Sequence, residues 1–322
     1  MKDSNIGTVF CSTIIPTIGR HTLSRAVNSV LQQSIPADNL EIIVVNDSGK
    51  ALPPADWQKS ARVRVINTQR RERSVARNTG AAIANGRFLH FLDDDDWLAP
   101  HALRHLWELA QQSDAAWLYG RSQIIDRQEQ PLLQLQHNLS GNAFVQTMSG
   151  EWIPLQSSLI DSKAFFMVGG FNTQITGPED VDLCRRITLH KDVAGTDEIV
   201  AFIGMGEENS TTDYVGHAAR SRWAREAVLN QPGVFSRLRG GAITSYWQGR
   251  IVRAYLTSAV WNLQQKRPLT AVSRLLPALY SLLIFLPAIT SGAYWQAVTH
   301  SYQSVTFARG LAAEKNSEVS LT

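Results

Sequence analysis

The chain has little cysteine and no excess of charge of either sign. Its 322 residues include two cysteines, Cys11 and Cys184, which are far apart and lie in apolar surroundings. This spacing excludes a clustered cysteine metal site and predicts small core residues in a reducing compartment. The sequence has 31 basic and 28 acidic residues, which gives a net charge of +3. Because the charges are nearly balanced, we expect no nucleic-acid partner. No apolar segment follows Lys2, which predicts a cytoplasmic protein without a secretory signal.

Strand-like and helix-like segments alternate through the first hundred residues. Apolar, β-branched runs predict strands at 9–15, 40–45, 63–66 and 88–92, and residues 74–85 have the spacing of a helix ended by Gly86. A second helix follows Thr22, which can serve as its N-cap. The alternation predicts an α/β fold with a doubly wound, mostly parallel sheet.

The later segments are mixed in character. Two short strands at 116–120 and 122–126 are predicted to flank a turn, and helices are predicted at 142–148 and 179–189. We expect an α/β domain over 1–210, a helical, partly apolar extension over 211–311, and a flexible tail over 312–322.

Four consecutive aspartates follow the fourth predicted strand. Asp93, Asp94, Asp95 and Asp96 come directly after the apolar run that ends at Leu92. A strand that stops there delivers its acids to the carboxyl edge of the sheet, where open α/β sheets bind ligands. Divalent cations such as Mg²⁺ or Mn²⁺ prefer these oxygen ligands. The alternative is capping of the next helix, which would account for one or two of the four acids.

Three further groups of residues accompany the acid cluster. Asp47 also ends a buried strand and should project over the same edge. Arg73, Arg77 and Asn78 begin the helix before the acid strand, where basic groups and free N–H donors suit a diphosphate. For the arginines the alternative is an exposed helical pair. The last group, Glu179 and Asp180, places two acids at a helix N-terminus behind a Gly-Pro turn.

A segment in the C-terminal extension is strongly apolar. No Lys, Arg, Asp or Glu occurs between Arg274 and Arg309, and Pro277 and Pro287 interrupt this stretch. Its length is near the lower limit for a membrane span. We expect residues 268–300 to contact a membrane surface as an interfacial or re-entrant helical hairpin, with Lys266, Arg267 and Arg274 on the head-group side. The alternative is a buried helix or a face for another subunit.

Five short motifs, taken together, resemble those of one enzyme family. The motifs are Pro16-Thr17-Ile18-Gly19-Arg20, Val44-Val45-Asn46-Asp47-Ser48, Ala76-Arg77-Asn78-Thr79-Gly80, Phe91-Leu92-Asp93-Asp94-Asp95-Asp96, and Gly169-Gly170-Phe171 followed by Glu179-Asp180-Val181-Asp182-Leu183. In order and spacing they resemble the family 2 glycosyltransferases, which have the GT-A fold. The resemblance covers roughly residues 6–205. Ile18, Gly19 and Asn46 depart from the usual pattern.

The resemblance implies a role for each matching residue. The Pro16-Thr17 loop and Asp47 would hold the nucleoside, Arg77 would lie near the diphosphate, and Asp180 would be the catalytic base. The residues that would contact the donor are Pro16, Thr17, Asp47, Arg77, Asn78, Asp93 and Asp94. Asp95 and Asp96 would bind Mg²⁺ or Mn²⁺. The acceptor side would be formed by Trp152, Gln156, Gly170 and Glu179. Within this set, Asp93 and Asp95 occupy the two ends of the family's DxD motif.

The resemblance implies an inverting glycosyltransferase. Its donor would be a nucleotide sugar, a UDP-sugar foremost, and its acceptor a glycan or a lipid-linked saccharide in cell-surface polysaccharide synthesis at the inner face of the cell membrane. One alternative is a sugar nucleotidyltransferase, although residues 16–20 are a poor match to the Gly-rich, basic loop of such enzymes. Another is a catalytically silent scaffold in a membrane assembly, against which four mutually repelling aspartates argue.

Overall fold

The computed structural model describes residues 9–36, 39–69, 72–204 and 214–300. Within these ranges a nine-stranded sheet forms the centre of the molecule. The strands are β1 (Cys11–Thr17), β2 (Leu40–Asn46), β3 (Val63–Asn67), β4 (Phe88–Phe91), β5 (Trp97–Leu98), β6 (Trp117–Ile125), β7 (Pro131–Leu135), β8 (Ser158–Asp161) and β9 (Val193–Gly204).

The sheet has a parallel half and a mixed half. Its order is β3-β2-β1-β4-β8-β6-β9-β5, with β7 paired to β6 outside this path. The pairs β3–β2, β2–β1 and β1–β4 are all parallel. Strand β8 runs antiparallel to both β4 and β6, whereas β6 and β9 are parallel. The first half therefore has the doubly wound arrangement that the alternating sequence predicted, and the α/β class is confirmed.

Eleven α-helices occur in the described ranges. They are α1 (Leu23–Leu31), α2 (Arg73–Ala82), α3 (Ala102–Gln112), α4 (Phe144–Ser149), α5 (Ser162–Met167), α6 (Glu179–Thr188), α7 (Tyr214–Leu229), α8 (Val234–Gly241), α9 (Ser245–Gln264), α10 (Pro268–Ile284) and α11 (Gly292–Thr299). Helices α1 and α3 cover one face of the sheet, and α2, α5 and α6 cover the other.

Alternation along the strands explains this three-layer packing. In β2, Ile42 and Val44 contribute to the core beneath α1 and α3, whereas Ile43 and Val45 contribute to the opposite core. Successive side chains of a strand point to opposite faces, so a continuous apolar run fits a strand buried on both sides. Helix α2 lies very close to the sheet, since a Cβ on Gly80 would stand 2.5 Å from the Ile14 side chain.

Two elements differ from the predicted ones. The segment predicted as two strands around a turn is one strand, β6, whose pairing with β9 shifts register near Arg121. A bulge keeps the pairing continuous where the sequence reads as a break. Helix α2 ends at Ala82, so Gly86 does not cap it. Gly86 instead permits close approach to β1, because a Cβ there would lie 2.5 Å from the backbone nitrogen of Ser12.

Helix α4 and the C-terminal helices α7 to α10 form a further apolar core. Strand β9 ends at Gly204 and α7 begins at Tyr214, on either side of the domain boundary predicted at residues 210 and 211. That boundary stays a prediction, and the predicted tail at 312–322 lies outside the described residues.

Helix α10 is turned with its largest apolar side chains outward. The residues that face the protein are small or polar, namely Ala271, Arg274, Ala278 and Ser281. We call the opposite side the leucine face; it consists of five side chains that are each more than half exposed, Leu269, Val272, Leu276, Leu279 and Leu283. None of the helices in the described ranges combines the length and the hydrophobicity that crossing a lipid bilayer requires.

The expected head-group position of Arg274 is wrong. Its side chain is buried and donates hydrogen bonds to the Leu229 carbonyl and the Ser258 hydroxyl, each at 3.1 Å, and to Asn230. Lys266 and Arg267, in the turn between α9 and α10, are exposed. The sequence pattern did not distinguish these positions, because all three basic residues flank the same apolar segment.

Candidate functional site

A cavity of about 510 Å³ opens at the carboxyl ends of the parallel strands. Strands β1, β2 and β4 end side by side there, and the backbone N–H of Asp47 donates to the Thr17 carbonyl at 2.8 Å. Eight of the predicted site residues line the cavity: Pro16, Thr17, Asp47, Asp93, Asp94, Asp95, Asp96 and Gln156. The other described lining residues are Ile18, Arg20, Glu72, Arg73, Ala76, Thr176, Gly177, Ile203, Gly204 and Arg220.

Three of the four aspartates converge at this cavity. Asp93, Asp95 and Asp96 each offer a carboxylate oxygen, and these oxygens lie within 4.8 Å of one another. Burial, followed by the charge of Asp93, raises the pKa of Asp95 to about 6. The same two causes raise the pKa of Asp96 above its ordinary value. The carboxylates therefore repel one another, and a cation between them would relieve that repulsion.

Asp94 does not belong to this group of three and is held by other side chains. Its carboxylate accepts a hydrogen bond from the Thr17 hydroxyl at 2.5 Å and one from Arg20 at 2.7 Å. It is buried, so these contacts are not weakened by water. Asp94 therefore ties the loop after β1 to the loop after β4.

Helix capping does not explain the aspartates. The N-cap of α3 is His101, in a left-handed backbone conformation, and β5 lies between the acids and that helix. One oxygen of Asp96 instead accepts the backbone N–H of Gly204 at 3.0 Å, which connects the acid loop to the end of β9.

Arg77 lies behind the cavity, buried between two carboxylates. Its guanidinium donates to Asp93 at 2.5 Å and to Glu179 at 3.0 Å, and stands 5.5 Å from the centre of the Phe171 ring. Burial raises the pKa of Asp93, but the charge and hydrogen bond of Arg77 outweigh this effect and hold that pKa below its ordinary value. Arg77 thus keeps Asp93 ionised; the arginine of α2 that lines the cavity is Arg73, one turn earlier.

Asp47 holds the loop that leads into α2. Its two oxygens accept hydrogen bonds from the Thr68 hydroxyl and from the backbone N–H of Glu72, each at 2.7 Å. Glu72 in turn caps α2, since its carboxylate accepts the N–H groups of Ser74 and Val75. Asp47 lines the cavity and at the same time positions the helix that carries Arg73 and Arg77.

Asn78 and Gly170 form a clamp away from the cavity lining. The Asn78 amide donates to the Phe171 carbonyl at 2.8 Å and accepts the Phe171 N–H at 2.9 Å. Gly170 has a φ of +68°, and a Cβ there would lie 2.7 Å from the Asn78 side chain. This contact explains the glycine and fixes the Gly169-Gly170 turn against α2.

The two acids that begin α6 have different surroundings. Glu179 is buried, and its carboxylate is held by Arg73 at 2.5 Å and Arg77 at 3.0 Å. Asp180 is half-buried and accepts the backbone N–H of Val181. Burial, followed by the charge of Glu179, raises the pKa of Asp180 to about 6, although Arg77 and Arg73 oppose the shift. Of the two, Asp180 is the acid whose environment suits proton transfer near neutral pH.

The residues predicted for the acceptor side separate in the structure. The Gln156 side chain donates to Asp93 at 3.2 Å and lines the cavity. Its carbonyl is fixed by the ring of His90 at 2.9 Å, and burial lowers the pKa of His90 to about 4, so that ring is neutral. Trp152 lies next to the His137 ring, 6.0 Å between ring centres, and is not among the described residues that line the cavity.

Two arginines of the cavity had no predicted role. Arg20 contacts Asp94 at 2.7 Å and Asp95 at 3.3 Å, and its place just after the Pro-Thr loop was the available signal. Arg220 comes from α7, in the C-terminal extension, and lines the same cavity. Its helix is rich in arginine, so the sequence alone could not single it out.

The acid cluster fits a divalent cation. Three carboxylate oxygens close together, two of them with raised pKa values, form an oxygen-only ligand set of the kind that Mg²⁺ or Mn²⁺ prefers. Asp93, Asp95 and Asp96 are therefore the residues that could hold the ion, whereas Asp94 is occupied by Thr17 and Arg20.

A GT-A-type α/β fold, with an acidic site at the carboxyl edge of its sheet, defines the class of the protein. Its sequence matches the profile described as Glycosyl transferase family 2 over residues 12–173, half of the chain. The chain belongs to this family.

Characterised relatives align with part of the chain. Poly(ribitol-phosphate) beta-N-acetylglucosaminyltransferase TarP from Staphylococcus aureus strain N315 is 29% identical over 116 residues, which cover 34% of this chain and 36% of TarP. UDP-Glc:alpha-D-GlcNAc-diphosphoundecaprenol beta-1,3-glucosyltransferase WfgD from Escherichia coli is 32% identical over 124 residues, 36% of this chain and 46% of WfgD. The matched stretches thus span less than half of either relative.

The fold extends beyond the stretch that aligns in sequence. The structure of S. aureus TarS 1–349 in complex with UDP-GlcNAc superimposes with a TM-score of 0.57 and 14% identity. The superposition covers 82% of this chain and 90% of that one. At this identity the similarity establishes the fold alone.

The buried position of Arg77 leads to a stability prediction. Arg77→Gln would leave Asp93 and the Arg77 side of Glu179 buried without their cation, and should lower the free energy of unfolding by about 3–5 kcal/mol. Arg64→Gln is the control, because Arg64 forms a half-exposed pair with Glu41 and should cost less than about 1 kcal/mol. Urea unfolding of both variants measures the difference. Equal losses would show that Arg77 has no special role in the fold.

Proposed function

We propose that this protein is an inverting glycosyltransferase that takes its sugar from a nucleotide sugar, a UDP-sugar foremost. The observation that carries the proposal is the convergence of Asp93, Asp95 and Asp96 at a 510 Å³ cavity that arginines also line. A nucleoside diphosphate brings negative charge, so its phosphates require cations. The cavity offers Arg20, Arg73 and Arg220, together with a place for a divalent ion.

Each part of the donor has a region of the cavity that suits it. The Pro16-Thr17 loop and Asp47 line the cavity, and the acid of Asp47 can accept a hydrogen bond from the base. Asp93, Asp95 and Asp96 would hold Mg²⁺ or Mn²⁺, which when bound would neutralise charge on the diphosphate leaving group. Arg77 supports this site from behind by keeping Asp93 ionised.

Asp180 is the proposed general base. Its pKa, raised to about 6, leaves it ionised near neutral pH but basic enough to accept a proton. Glu179 is less suited, since Arg73 and Arg77 both hold its carboxylate. In the proposed step an acceptor hydroxyl oxygen bonds to the anomeric carbon and its proton passes to Asp180. The bond from that carbon to the phosphate oxygen breaks, and the nucleoside diphosphate leaves.

The proposed acceptor is a glycan or a lipid-linked saccharide in cell-surface polysaccharide synthesis. The names of TarP and WfgD, a poly(ribitol-phosphate) and a diphosphoundecaprenol saccharide transferase, support this class of acceptor. We place the enzyme in the cytoplasm, at the inner face of the cell membrane.

Membrane contact through residues 268–300 is part of the proposal. The leucine face of α10 is exposed, and Trp295 of α11 is 48% exposed. Exposed apolar side chains on this scale mark an interaction surface rather than an ordinary solvent face.

The metal proposal predicts loss of donor binding in Asp95→Ala. Calorimetric titration with UDP-sugars and Mn²⁺ should show affinity reduced by more than about tenfold, because one ligand oxygen of the cluster is gone. Wild-type protein treated with EDTA should lose binding and UDP release in the same way. Asp56→Ala is the control, since Asp56 has a 97% exposed side chain outside the cavity. Unchanged donor affinity in Asp95→Ala would contradict a metal role for this acid.

The base assignment predicts a specific kinetic change in Asp180→Asn. Transfer should fall by about 10²–10⁴-fold, the usual contribution of a general base, while calorimetric donor affinity stays near wild type. Because Asp180 acts in its ionised form, the wild-type rate at saturating donor should drop about tenfold from pH 7 to pH 5. The residual rate of the variant should lack this step. A fully active Asp180→Asn enzyme would contradict the assignment.

The membrane proposal predicts that the leucine face is required for vesicle binding. The double substitution Leu276→Ser with Leu279→Ser should lower co-sedimentation with phospholipid vesicles by more than about tenfold, because each buried leucine contributes about 1.5–3 kcal/mol. Leu132→Ser is the control, since Leu132 of β7 is 45% exposed but lies far from the C-terminal helices in the chain. Equal binding by all three proteins would rule out this surface.

A further inference from the structure

Charge is distributed very unevenly along the chain. Residues 211–311 contain eleven Lys or Arg and two Asp or Glu, whereas residues 1–210 contain nineteen and twenty-four. No acidic residue occurs between Glu226 and Glu314. The small net charge of the whole protein therefore hides a strongly basic helical extension, which is the part that carries the leucine face.

A second cavity, of about 270 Å³, lies within this extension. Two of its lining residues are basic, Arg222 of α7 and Arg253 of α9, and one is the hydroxyl residue Thr257. The others are mainly apolar: Leu256, Val260, Trp261, Gln264 and Val298. Charged donors at one part of a largely apolar cavity suit a ligand that has both a phosphate and a hydrocarbon part.

The guanidinium groups around this cavity are crowded. Burial lowers the pKa of Arg225, and the nearby charges of Arg222 and Arg253 lower it further, while Glu226 raises it. Arg222 forms no ion pair with any residue that the structure describes, and the Nε of Arg225 is buried without a partner there. Arg253 is fixed in place by donating to the Val298 carbonyl at 2.8 Å. A bound anion would relieve this repulsion.

The cavity continues into the exposed apolar surface. Val260 lines it and is 57% exposed, and Leu263, in the next turn of α9, is 63% exposed. The exposed Lys266 and Arg267 follow, and then the leucine face of α10 begins at Leu269. A single amphiphile can thus meet cations in the cavity and apolar side chains outside it.

We infer that the cavity between α7, α9 and α11 binds the phosphate head group of an anionic membrane lipid, with Arg222 and Arg253 as its charged donors. The basic charge of the extension decides against a second copy of the chain as the occupant of this surface, because two such surfaces would repel each other. It matches the negative surface of an anionic leaflet, which attracts basic groups.

This inference rests on the proposed membrane contact, because the membrane would supply the lipid. The head-group site is nevertheless a separate claim from the contact itself. Membrane contact requires the leucine face alone, whereas the head-group site requires selectivity for anionic lipid and assigns it to two particular arginines. The site could therefore fail while the membrane contact holds.

The test compares Arg222→Gln with Arg239→Gln. Both remove one positive charge from an exposed position of the same extension, but Arg239 of α8 does not line the cavity. Co-sedimentation is measured with vesicles of phosphatidylcholine alone and of phosphatidylcholine mixed with phosphatidylglycerol, at an ionic strength of about 0.15 M, where distant charges are screened. We expect Arg222→Gln to lower affinity for the mixed vesicles by more than about fivefold, the effect of one basic group at an anionic surface. Arg239→Gln should stay within about twofold of wild type.

Other outcomes have definite meanings. Equal losses in the two variants would show diffuse attraction and overturn the site. Equal wild-type binding to both kinds of vesicle would keep the membrane contact but overturn the head-group site. Arg253→Gln, checked by thermal unfolding because Arg253 also holds α11, should repeat the Arg222→Gln result.

A soluble probe keeps the inference testable if wild-type protein binds no vesicles. Dihexanoyl phosphatidic acid, below its micelle concentration, should bind wild type in calorimetry and fail to bind Arg222→Gln. Inorganic phosphate should bind much more weakly, because it lacks the part that contacts Val260 and Trp261. Equal binding of the two probes would identify a free-phosphate site instead, and absence of binding by the lipid would overturn the inference.

Discussion

A single buried guanidinium, that of Arg77, connects the parts of the candidate active site. It holds Asp93 at the end of β4 and Glu179 at the start of α6, and so brings α2, β4 and α6 to fixed positions. Removing a buried cation from two acids is costly, which makes this arrangement difficult to change. The ionised state of Asp93, the place of α6 and therefore the place of Asp180 all depend on it.

The sequence was sufficient to predict the site's location. Continuous apolar runs identified the parallel strands, and parallel strands that end together bring Asp47 and the aspartates to one edge. The sequence was not sufficient to predict the direction of each side chain. Asp94 turns toward Thr17 and Arg20, while its neighbours turn toward one another, because the loop after β4 is shaped by contacts with β1 and β9. Such contacts join residues that are distant in the chain and leave no local pattern.

The same limit applies outside the site. Strand β6 reads as two strands because its register shift is produced by pairing with β9, about eighty residues later. Arg220 reaches the cavity of the candidate site from a helix beyond the matched family region, among several arginines of similar appearance. The apolar character of α10 was evident, but hydropathy could not tell which side of the helix would be buried, since apolar residues occur nearly all round it.

Arg274 determines which way α10 faces. A lone arginine on a largely apolar helix would ordinarily face solvent. The polar groups of Leu229, Asn230 and Ser258, however, meet the guanidinium only in the observed orientation. Rotation of the helix would break these hydrogen bonds and leave the buried polar groups without partners. Each unsatisfied group would lower the free energy of unfolding by about 1–3 kcal/mol. Arg274 thus fixes the rotation of α10 about its own axis, and this keeps the leucine face exposed, as the proposed membrane contact requires.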